Sequence, residues 1–157
     1  MKRIFRMIPY LGFLISFGTL SAISGPAGPS EMLVRIKHST KEEIARLIYH
    51  YAQKEVSIDD VLTFYVLLDH KEPIDASGGL AAKIQVRDIA FVCIEEITGE
   101  SLLPLKDKVF PVKAILLYRS TEDGITFRFA IPSLSDDDFE KVKTIVNDWI
   151  ARSTIEK

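Results

Sequence analysis

The chain has 157 residues, 47% of them hydrophobic and 27% charged, with a formal net charge of −2. That length supports a single domain with a core of its own. A net acidic chain with no Lys/Arg block lacks the electrostatic footprint by which nucleic-acid binders neutralise phosphate, so no nucleic-acid partner is expected.

The first residues carry the strongest signal. Lys2, Arg3 and Arg6 precede a run from Met7 to Ile23 that is apolar apart from Ser, Thr and Gly, and small residues with turn-formers follow at Ser21 to Gly28. This order is that of a signal peptide, expected over residues 1–24. The alternative is an uncleaved membrane anchor, which needs about 20 apolar residues. The run is interrupted by Pro9, Gly12 and Gly18, which favours cleavage, with Gly25 or Gly28 as the first mature residue. No acid precedes Glu31, so loss of the leader leaves 17 basic against 22 acidic residues, a net of −5. The single cysteine, Cys93, is too distant to carry a lipid at the junction.

Residues 25–30 read as a Gly/Pro linker, and 31–157 as one globular domain. Within it, 32–37 suggests a short strand. A helix is expected over 40–54, where Thr40 and Glu43 form a capping box and Ile44, Leu47, Ile48 and Tyr51 share a stripe. A second helix is expected from Ser57, with Ile58, Val61, Leu62, Tyr65 and Leu68 aligned. Phe64, Val66 and Leu67 add an excess apolar face, which implies burial on several sides or a partner. Residues 73–79 read as a loop, and Gly78-Gly79 as a turn.

Beyond that loop the apolar spacing predicts strands. One is expected over 83–97, bent by a bulge near Arg87-Asp88, and Cys93 within it reads as a small buried hydrophobe. An exposed edge strand would instead allow Cys93 an intermolecular disulfide. Strands over 109–119 and 125–131 are expected to form a hairpin around Glu122-Asp123-Gly124, ended by Pro132. The last helix begins at Ser135, where Asp136, Asp137 and Asp138 complement the helix N-terminus. Its stripe is Phe139, Val142, Ile145, Val146, Trp149 and Ile150.

The segment Glu42-Glu43-Ile44-Ala45-Arg46-Leu47-Ile48-Tyr49-His50-Tyr51-Ala52 resembles the opening helix of the nuclear-transport-factor-two-like superfamily. The resemblance implies one candidate architecture, a curved antiparallel sheet wrapped around helices and a pocket, and it carries over no catalytic residue. The expected fold class is therefore α+β. A mostly antiparallel curved sheet of three to four strands is packed by two N-terminal helices and one C-terminal helix, as a nuclear-transport-factor-two-like or other roll.

Motifs for chemistry are sparse. His38, His50 and His70 are dispersed, no zinc spacing is present, and the Asp136–Asp138 acids lack the rest of a calcium loop, so no metal and no cofactor are expected. No G-x-S-x-G elbow occurs. The leading expectation is an exported, periplasmic or extracellular cell-envelope accessory or binding domain without catalytic activity. It would contact an envelope protein or a small apolar ligand through Phe64, Leu67 and Tyr49. One alternative is a small pocket enzyme of lyase or isomerase type, with His50 or His70 as base beside Asp69. The other is an anchored subunit of a membrane complex, touching the membrane only through residues 1–24.

Overall fold

A computed structural model describes residues 28–77, 83–102, 112–119 and 126–155. The leader, residues 25–27 of the linker, Gly78-Gly79 and the hairpin turn at 122–124 lie outside them. In the described residues the elements run α1 (Pro29–His38), α2 (Lys41–Gln53), α3 (Ile58–Leu67), α4 (Val86–Thr98), β1 (Val112–Arg119), β2 (Thr126–Pro132) and α5 (Asp136–Ile155). A short 3-10 turn, Asp75–Ser77, precedes α4.

This corrects the expected fold class. The described chain is mostly helical, with five α-helices and a two-stranded antiparallel sheet in place of a three- to four-stranded curved roll. The superfamily resemblance of the α2 segment therefore does not extend to the architecture.

Two expected strands are helices. Pro29 and Ser30, read as linker, open α1; Pro at the first turn has no N–H to lose there, and Met32 and Ile36 are buried one turn apart. Residues 86–98 form α4, whose face from Val86 to Ile94 is buried without interruption. A helix covered on all sides has no polar stripe, so its apolar run lacks helical periodicity and is easily taken for a buried strand. The polar pair Arg87-Asp88, read as a bulge, is the first turn of this helix. There the Asp88 carboxylate accepts the Gln85 backbone N–H at 2.7 Å. Gly99 closes α4 in the left-handed conformation at φ 65°.

The other helices follow their local signals. Thr40 Oγ1 accepts the Glu43 N–H at 3.2 Å while Glu43 accepts the Thr40 N–H at 2.7 Å. The stripe Ile44, Leu47, Ile48 and Tyr51 is buried. Ser135 and Asp138 form the same reciprocal arrangement before α5, at 3.2 and 3.1 Å. Strands β1 and β2 pair antiparallel as a hairpin, with an irregularity between Val112 and Ala114.

Helix α4 is the centre of the molecule, in contact with α1, α2, α3 and β2, while β1 covers α2 and α5 lies along α3. Rings tie these layers: Tyr51 meets Phe64 edge-on at 4.9 Å, and the Arg87 guanidinium sits 4.3 Å from the Phe139 ring centroid. Cys93 is a free thiol on α4 rather than on a strand, fully buried, and burial pushes its pKa up.

Candidate functional site

The two apolar faces of α3 point in nearly opposite directions at about 100° per residue. Phe64 and Leu67, expected to form an outward contact surface, are 0% and 1% exposed and belong to the core. They pack with Val61 and Leu68, and α3 lies against α4. Leu62 and Val66 are turned outward at 42% and 48% exposure. Tyr49, the third residue expected on that surface, is half-buried on α2. The outward apolar side chains of α3 are thus Leu62 and Val66 rather than Phe64 and Leu67.

Helix α5 runs antiparallel to α3 and is pinned to it by polar contacts. Lys143 Nζ lies 2.5 Å from Asp69 Oδ1 near the end of α3, and Asn147 Nδ2 donates to Tyr65 Oη at 2.8 Å one turn further. These two contacts leave a groove of about 610 Å³ between the start of α3 and the last turns of α5. Val56, Ile58 and Leu62 face Trp149 and Ile150 across it, and Ser57, Asp59, Ser153 and Thr154 complete its lining. The volume falls within the range of about 300–1,000 Å³ common for ligand sites. Trp149 is largely buried, whereas Val56 is exposed.

Local chemistry explains why α3 starts at this groove. Ser57 Oγ accepts the Asp60 N–H, and Asp60, itself buried, receives Lys54 Nζ at 2.5 Å. Asp60 is thereby committed to holding α2 and α3 together. Asp59 is exposed and, among the described residues, no ion pair engages its carboxylate. A shallower cleft on the other flank of α5 is lined by Ile145, Asp148, Ala151 and Arg152.

The histidines do not converge. His50 is exposed and meets Tyr51 edge-on at 5.2 Å, whereas His70 Nδ1 lies 3.2 Å from Glu72 beyond α3. Asp69 is engaged by Lys143. No hydrogen bond or ion pair among the described residues joins His50, His70 and Asp69 to one another. His38 pairs with Asp75 at 2.8 Å on the surface. No group of three His, Cys, Asp or Glu residues suited to a metal ion occurs among the described residues.

Two buried charged groups outside the groove have structural partners. Asp88 binds Lys113 of β1 at 2.7 Å in addition to capping α4, although its Oδ1 accepts no hydrogen bond among the described residues. Arg87 donates to Asp136 at 2.7 Å, linking α4 to α5. Among the described residues the groove is the candidate site, and sequence reasoning missed its composition. The available signal was the four-residue spacing of Leu62 and Val66, an apolar pair beyond the residues that α3 contributes to the core. No known family, curated protein or solved structure matches this chain.

Proposed function

We propose that the protein is a cell-envelope binding module that acts without catalysis by taking a segment of a partner protein into the α3–α5 groove. The observation that carries this reading is the outward turn of Leu62 and Val66 beside a groove that reaches Trp149. Apolar side chains placed together at a surface depression are the usual mark of a contact site. Export is supported by the tripartite leader at residues 1–24. No helix among the described residues is long and apolar enough to cross a membrane.

The test is complementation with surface variants whose folding has been checked by circular dichroism. Leu62→Asp and Val66→Asp are expected to fold and to abolish activity, because a charge on an exposed apolar contact must be desolvated on binding. His50→Ala and His70→Ala are expected to fold and retain activity. Removal of a general base would cost about 10²- to 10⁴-fold in rate. A folded, inactive histidine variant alongside active Leu62→Asp and Val66→Asp would replace this reading with the pocket-enzyme alternative.

A further inference from the structure

We infer that the partner segment is a cationic amphipathic helix, an inference that rests on the binding-module reading above. Ile58, Leu62 and Val66 recur every four residues along α3, a ridge about 12 Å long at 1.5 Å rise per residue, with Ile58 half-buried against the core and Leu62 and Val66 exposed. A ridge of this kind packs into the groove between side-chain rows of another helix. Such a helix would present apolar anchors at i, i+4 and i+7. The ridge extends past the groove lining to Val66, which is 48% exposed, so an occupant of small-ligand size would leave part of the apolar surface uncovered.

Charge selects the sign of the partner. Among the described residues, Asp59 is the one charged side chain in the groove lining, and its carboxylate has no cation, unlike neighbouring Asp60 with Lys54. Glu55, the chain neighbour of Val56, is exposed, and Lys54 on its other side is engaged by Asp60. A Lys or Arg opposite Asp59 would supply the cation that this carboxylate lacks.

The experiment uses two designed helical peptides without tryptophan, with the same leucine face and either lysines or glutamates on the other face. Trp149 is the only tryptophan in the chain and lines the groove, so its fluorescence reports occupancy directly. The lysine peptide is expected to bind at least fivefold more tightly at low salt, with the ratio shrinking as salt screens the charges. Asp59→Asn is expected to narrow that ratio at least threefold. Asp137→Asn removes an equal charge from the first turn of α5, at the opposite end of that helix from the groove, and is expected to leave the ratio unchanged.

Equal binding of the two peptides, tighter binding of the glutamate peptide, or equal effects of the two Asn variants would overturn the cationic assignment while leaving an apolar groove site. Absence of binding by both peptides, or binding undiminished in folded Leu62→Asp, would overturn helix docking in the groove and with it the reading on which it rests. Should Leu62→Asp not fold, Thr154→Arg on the exposed rim serves as the blocking variant, and undiminished binding there overturns helix docking in the same way.

Discussion

Asp136 joins α5, α4 and the segment after α3 through one carboxylate. It accepts Lys71 Nζ at 2.8 Å and Arg87 Nη1 at 2.7 Å, at the first residue of α5. Hydrogen bonds from Lys71 and Arg87, with their charges, hold its pKa down at about 2. Because the folded-state pKa lies below the unfolded one, this contribution to stability is present above about pH 4 and is lost as pH falls towards 2. Asp136→Asn is therefore expected to lower the urea midpoint at pH 6 and to bring variant and parent together near pH 2. A midpoint difference that stays constant over this range would mean that ionisation of Asp136 contributes nothing. At this scale the sequence is legible where a motif is self-contained. Thr40 with Glu43 announces its own capping box, whereas Asp88 caps α4 behind Gln85, a residue that does not advertise a helix start, and its Lys113 partner is 25 residues away.

Helix α4 shows why whole elements can be misread while their burial is read well. Ile89, Ala90, Phe91, Val92, Cys93 and Ile94 are all buried, as a core segment should be, but burial on every side removes the contrast that distinguishes a period of 3.6 from one of 2. The end of this helix carries a clearer mark. Gly99 adopts φ 65°, and a Cβ placed there meets nothing within 4 Å, so the cost of a larger residue lies in the backbone alone. Gly99→Ala is expected to destabilise the domain by roughly 1–2 kcal/mol, the penalty of the left-handed conformation for a residue with a Cβ. Equilibrium denaturation measures it, and an unchanged midpoint would show that α4 can end without that turn. Helices α2 and α5 were legible because each is half-exposed, and the β1–β2 pair because its sequence alternates between apolar and polar residues.

For the molecule as a whole, the proposed leader makes a definite mass prediction. Export is expected to yield a chain beginning at Gly25 or Gly28, both ahead of Pro29 where α1 starts, so that no described element is cut. Intact mass spectrometry of the exported protein checks it; a membrane-bound chain retaining Met1 would favour the anchored-subunit alternative. By itself the sequence determined the capped starts of α2, α3 and α5, the antiparallel hairpin and the burial of Cys93, because these depend on composition or on residues within a few positions of one another. Only the tertiary structure decided that 86–98 is the central helix and that α3 turns Phe64 and Leu67 inward and Leu62 and Val66 outward. Both faces of α3 are apolar, so its local pattern permits either orientation. The choice is made by α4, whose apolar run from Ile89 to Ile94 must be covered from several sides at once.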